Sequence, residues 1–344
     1  MSGSAIFSLK KLGFPWETID PFLFCVYHDD AYPRGNEAMG PAASLAGREL
    51  GQDFAGIDGW RMYHGHVVPG FPAHPHRGFE TVTIVRRGFI DHADSLGATA
   101  RFGAGDTQWL TAGRGIVHSE MFPLRARDQN NPLELFQIWL NLPAQSKMVD
   151  PYFTMLWAEV TPRYRSIDAN GNHAEVTCIA GRIGNENPLS PPPNSWASQA
   201  DADVAIWTIK LAPHTRWTMP RARGEKTRRN LHYFKGAGLT IDAQNVDVQS
   251  VIELNTTRDI ALVNGTMESE LLMLQGRPIN EPVAQHGPFV MNTRQELQQA
   301  FADYQRTQFG GWPWPDNAPV HGPERVRFAR HADGRAEVWP TLQD

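Results

Sequence analysis

Two tripeptides stand out for the chemistry their side chains could do. His74-Pro75-His76 sets two imidazoles two residues apart, and His118-Ser119-Glu120 sets an imidazole and a carboxylate at the same spacing. Residues i and i+2 of a β-strand point to one face of the sheet. Two such strands lining one barrel would aim three imidazoles and one carboxylate at a common point. That donor set suits a divalent transition metal and leaves coordination positions for small exogenous ligands.

The elements that must position these residues can be read around them. After His76 and Arg77-Gly78 comes Thr81-Val82-Thr83-Ile84-Val85, a β-branched run that predicts a strand. Ser95-Leu96-Gly97 and Phe102-Gly103-Ala104-Gly105-Asp106 predict turns, and Gln108-Trp109-Leu110 a short strand. Ala112-Gly113-Arg114-Gly115 is a glycine-rich bend that leads directly into Ile116–Glu120. Each ligand pair therefore falls in extended chain.

On these residues the chain resembles the pirin family of metal-binding bicupins. The likeness runs through residues 74–83, 94–97 and 103–123, continues over Phe136–Pro143, and returns at Glu281–Thr293. It covers most of residues 10–310. The resemblance implies an all-β fold of two cupin-type β-barrels with a C-terminal helix. It implies metal ligation by His74, His76, His118 and Glu120, with Fe(II) as the metal and Mn, Ni, Cu or Zn also able to bind. Some bacterial pirins resemble quercetin 2,3-dioxygenases, which implies a flavonol or similar enol and O2 as substrates, with Glu120 as the catalytic base. The alternative is a metal- and redox-sensitive regulatory protein that acts on a protein partner. A bicupin with a purely structural metal is the third reading.

Composition sets outer bounds. A length of 344 residues suggests two domains. Abundant Gly and Pro and few long periodic segments favour an all-β class. A formal net charge of −5 argues against direct nucleic-acid binding by charge. With only Cys25 and Cys178, no disulfide framework is implied, which fits a reducing compartment. No run approaches the roughly 20 apolar residues of a membrane span. The expectation is a soluble, cytoplasmic protein.

The expected organisation is a metal-binding barrel over residues 1–145, a barrel without metal over 146–290, and a helix with an extended tail over 291–344. Strands are predicted at Val176–Gly181, Ala205–Ile209, Leu231–Phe234 and Ala261–Val263, and a loop at Pro188–Asn194. Arg86-Arg87-Gly88-Phe89-Ile90 has a faint counterpart in Phe234–Leu239, as a diverged duplication would leave. The second-half positions that correspond to the ligands, near Arg221–Glu225 and Val263–Thr266, carry no histidine. Thr293-Arg294-Gln295-Glu296 fits a capping box, Leu297, Ala300, Phe301 and Tyr304 share one helix face, and Gly310-Gly311 ends it.

Each candidate has a plainer rival. The ligand set could be a hydrogen-bonded polar cluster, but burying four such groups without a cation is costly. His64-Gly65-His66 reads as structural or cavity-rim, and His173/Glu175 as chance spacing on a surface strand. Glu80 occupies the carboxylate position of the first cupin motif and reads as a barrel-lining residue that orients a ligand. Arg77 could attract an anion at the mouth or form a salt bridge. The cluster Arg221, Arg223, Lys226, Arg228 and Arg229 reads first as a charged strand edge and second as an anion or nucleic-acid contact.

Overall fold

The structure is a computed structural model that describes residues 3–324 and 326–339. Its regular structure is almost wholly antiparallel strand, with one α-helix among the described residues, and its contacts divide it into two compact units.

One unit comprises residues 27–137, 144–158 and the chain from Glu281 onward. Its six-stranded sheet runs in the order Ala336–Trp339, Arg327–Arg330, Thr99–Gly103, Phe89–Asp94, Ile116–Met121, Gly70–His76. A five-stranded sheet runs Tyr152–Leu156, Thr107–Thr111, Phe79–Arg87, Asn131–Asn141, Phe22–Tyr32. The predicted strands at 81–85, 108–110 and 116–120 all lie inside observed ones. The apolar core of this unit includes Val85, Ile90, Phe102, Leu110, Ile116 and Phe153.

The other unit comprises the chain up to Val26, residues 138–143 and residues 159–280. Its seven-stranded sheet runs Ile6–Lys11, Ser250–Leu254, Arg228–Lys235, Ser269–Gly276, Ala205–Leu211, His173–Ala180, Arg163–Ile167. A four-stranded sheet adds Arg216–Met219, Ile260–Val263, Leu239–Ile241 and Gln244–Val246. Its interior is apolar, filled by Trp207, Trp217, Leu231, Tyr233, Leu271 and Met273. Together the units form the two-barrel, all-β cupin architecture.

The units differ from linear cuts at 145 and 290. The N-terminal strand Ile6–Lys11 pairs with Ser250–Leu254, and Arg327–Arg330 pairs with Thr99–Gly103. Strand pairing over long separations carries each end of the chain to the barrel that lies farther from it in sequence. The tail expected from residue 312 is thus partly sheet; its last residues, 340–344, lie outside the described residues.

Both units turn on a glycine at matching places. Gly88 (φ 76°) follows Phe79–Arg87, and Gly236 (φ 123°) follows Arg228–Lys235. A Cβ at Gly236 would lie 2.2 Å from Ser269 Oγ, so both backbone angle and space require glycine there.

The helix spans Arg294–Thr307. Thr293 Oγ1 accepts from the Glu296 N–H, and Glu296 Oε2 accepts from the Thr293 N–H, closing the capping box. Leu297 and Ala300 are buried against Phe289 and Met291. No helix of the described residues is long and apolar enough to cross a membrane.

Candidate metal centre

The strands Gly70–His76 and Ile116–Met121 are antiparallel neighbours, with His74 opposite His118. Alternation then puts His74, His76, His118 and Glu120 on one side of this pair. A register shift between Phe71 and His74 resets the strand just before the first ligand pair. The donor atoms of His74, His76 and His118 lie within 4.8 Å of one another, and no other group of this kind occurs among the described residues.

His74 Nδ1–H donates to the Pro72 carbonyl at 2.9 Å, which fixes the tautomer and leaves Nε2 with its lone pair. That Nε2 is 3.1 Å from His118 Nε2. For bonds of about 2.1 Å, adjacent positions of an octahedron are separated by about 3 Å. The three rings are mutual neighbours, with centroids 4.5 to 4.9 Å apart.

Burial decides the protonation of these rings. It pushes His74 down to about 4, against the opposing bond to Pro72. It holds His76 and His118 well below the ordinary histidine value, and the neighbouring imidazoles add to the effect. All three are neutral bases at physiological pH, the form that binds a cation. His76 and His118 are buried, whereas His74 is half-buried and gives the cluster a side toward solvent.

Glu120 sits beside the three histidines rather than among them. Its Oε2 is 3.8 Å from His118 Nε2. Oε1 accepts from Thr83 Oγ1 and Oε2 from Gln137 Nε2, each at 3.2 Å. Burial pushes the carboxyl up; His92 and these two hydrogen bonds oppose it. Three neutral imidazoles whose ligand nitrogens lie within 4.8 Å of one another, with an oxygen donor alongside, fit a divalent transition metal.

The other candidates fall elsewhere. Glu80 is fully buried and accepts from Thr111 Oγ1 at 2.6 Å. His64 Nδ1–H donates to the Gly51 carbonyl at 2.7 Å, and its ring packs on Phe54 and Phe71, outside the cluster. His173 is exposed, and Glu175 pairs with Arg165. Arg77 does not face solvent as an anion trap: it is buried, paired with Asp303 of the helix at 2.9 Å, and stacked over Phe309. Lys147 Nζ donates to the Gly78 and Val290 carbonyls. These two cations fasten the turn that follows His76.

Sequence reasoning passed over two groups near the cluster. His92 is fully buried on the strand next to His118, its Nε2 3.1 Å from Asp94 Oδ2 and its ring 5.5 Å from that of His118. His92-Ala93-Asp94 has the same i, i+2 spacing as the ligand pairs, which was the available signal. The second group is a hydrogen-bonded chain. Tyr63 O–H donates to Asp30 at 2.6 Å, so His28 Nδ1 is the donor in its 2.7 Å contact with Tyr63. This chain packs behind Phe71, whose ring lies 6.2 Å from that of His74. The residues involved are far apart in sequence, and no spacing marks them.

Comparison with known proteins agrees with the fold and the motifs. The chain matches the family model "Pirin" over residues 11–140 and that of the pirin C-terminal cupin domain over 206–310. A pirin-like protein of Caulobacter vibrioides is 37% identical over 240 residues, which cover 70% of this chain and 80% of that one. Pirin-1 of Arabidopsis thaliana is 36% identical over 244 residues, 70% and 78% of the two chains. A Pseudomonas aeruginosa protein provisionally named quercetin 2,3-dioxygenase is 35% identical over 241 residues, 70% and 79%. Among solved structures, a quercetin 2,3-dioxygenase from Acinetobacter baumannii superposes with a TM-score of 0.69 at 24% identity, over 89% of this chain and 98% of its own. At that identity the likeness speaks for the fold. Two matched family models and relatives above 30% identity establish that the chain belongs to the pirin family.

Proposed function

We propose that this pirin binds one divalent transition metal, by preference Fe(II), through His74, His76 and His118 with Glu120 as the carboxylate donor, and that it is a dioxygenase acting on a flavonol or similar enol. The observation that carries the reading is the convergence of three neutral imidazoles, two of them buried, within 4.8 Å. The name of the Pseudomonas aeruginosa relative supports the substrate class. Bound there, the metal would supply a Lewis acid and a redox centre for O2.

The chain's own residues would do the rest. Thr83 and Gln137 hold Glu120 so that its carboxylate can take the proton of the substrate's enolic hydroxyl. The solvent side at His74, next to Phe71, is the approach for a planar aromatic substrate. The buried surroundings exclude water from the remaining donors. Two free, buried cysteines agree with a reducing, cytoplasmic setting.

The test is metal analysis of the native protein, followed by O2 uptake and loss of flavonol absorbance with iron-loaded protein. Turnover above free-iron controls supports the reading. Its absence across several flavonols rejects the dioxygenase and leaves metal-dependent regulation of a protein partner.

A further inference from the structure

The second barrel has an apolar core, yet it carries an open cleft of about 750 Å³ at one end. Arg182, Arg221, Arg223, Lys226, Arg229 and Arg277 all line it. Three acids share the wall, and two of them are already engaged. Asp201 pairs with Arg277 at 2.8 Å. Asp203 Oδ2 accepts from the Gly224 N–H at 2.9 Å and from Thr227 Oγ1 at 2.6 Å. Glu225 is exposed.

Arg229 is the informative member. It is 1% exposed. Nε and Nη2 donate to Gln275 Oε1, and Nη1 donates to the Pro220 carbonyl. All these acceptors are neutral, and among the described residues no carboxylate lies within ion-pair distance of it. A guanidinium has five N–H donors, so two remain unspent. Asp203 and Asp259 act on this buried cation only from beyond contact, so its charge lacks a touching counter-ion, and the planar fork that remains matches an oxyanion. Trp207, Ile183 and Pro220 give the same cleft apolar wall, and its volume is that of a small-molecule site.

We propose that this cleft binds a small molecule bearing an oxyanion, a carboxylate or a phosphate ester, with Arg229 at its floor and Arg223 and Lys226 at its rim. The site is separate from the histidine cluster and independent of any dioxygenase activity. It gives the second barrel a ligand of its own.

The experiment uses the full metal-loaded chain and calorimetric titration with inorganic phosphate and with citrate, each at ionic strength matched with sodium chloride. The expected result is saturable binding of at least one of them, one per chain. Arg229→Gln should weaken it at least about tenfold. The surface double variant Arg223→Ala/Lys226→Ala keeps the test open should Arg229→Gln fail to fold, and it should weaken binding by a similar factor. Metal content should be unchanged in both variants. Phosphate alone binding assigns a phosphate ester, and citrate alone a carboxylate. No saturable binding of either up to about 10 mM, or equal binding by wild type and the double variant, overturns the proposal.

Discussion

His92 stands directly opposite Glu120 on the antiparallel neighbour strand, and the same ladder sets Asp94 opposite His118. A second histidine–carboxylate pair therefore lies against the proposed ligand pair, residue for residue. Asp94 holds His92 while its other oxygen accepts the Leu96 and Ala98 N–H groups. His92→Ala should lower metal affinity about 10- to 100-fold, the range for a partner that supports ligands without binding the metal. Competition with a chromophoric chelator measures it; an unchanged affinity would show His92 to be filler.

His118→Ala should cost more than about 100-fold in affinity, because it removes a donor itself. His64→Ala should leave metal content near that of the wild type, since His64 is bonded to Gly51 outside the cluster. Elemental analysis of the two proteins after identical dialysis against a chelator checks the ranking, and equal content in both would overturn the assignment.

The metal-free protein should lose stability on mild acidification. An unfolded histidine takes up a proton near pH 6.5, whereas folded His74 resists until about 4, and His76 and His118 are likewise depressed. Across that window the unfolded state binds more protons, so stability falls as pH falls. Glu120 works in the opposite sense: its raised pKa favours the folded state at low pH, and that contribution is lost as pH rises through its folded value. Three histidines outweigh one carboxyl. Urea unfolding of chelator-treated protein at about pH 7.5 and about pH 5 should show the loss; a flat or rising profile contradicts it.

Glu120→Gln should keep the fold and abolish most flavonol turnover. The amide still offers an oxygen, and Thr83 Oγ1 can still donate to it, but it cannot take the substrate's proton at neutral pH. Turnover near that of the wild type, with bound iron unchanged, would remove Glu120 from the role of base.

Arg327 and Asp106 form an ion pair at 2.6 Å with both side chains fully buried. Arg327→Met strips the cation and leaves the carboxylate inside, which should destabilise the protein by about 3 kcal/mol or more. Chemical denaturation reads this directly, and a change below about 1 kcal/mol would mean the pair behaves like a surface one.

The histidine cluster was legible because a strand's period of two converts spacing into direction: His74, His76 and His118 needed only a shared barrel to converge, with Glu120 beside them. The helix was legible from Thr293 and Glu296 because a capping box is local. His92 was passed over although it has the same period, because its partner is an aspartate on the same strand rather than a second imidazole. A salt bridge was one of the two readings of Arg77, but its partner and its burial were not readable, since Asp303 arrives from a helix more than two hundred residues later. Nor were the unit limits, because pairings such as Ile6–Lys11 with Ser250–Leu254 leave no mark in the intervening sequence.

That last pairing has a consequence in time. As the chain leaves the ribosome, Ile6–Lys11 emerges first but has no neighbour until Ser250–Leu254 follows. Thr99–Gly103 pairs early with Phe89–Asp94, but its other side is filled only when Arg327–Arg330 arrives, later still in synthesis. The histidines of the first barrel can therefore meet while its sheet is still open on one side, and a bare strand edge is a template for pairing with another chain. Yield in cells should then depend on how quickly the last segment is delivered, so a slow stretch of codons just before Arg327 would be felt as aggregation rather than as lost activity.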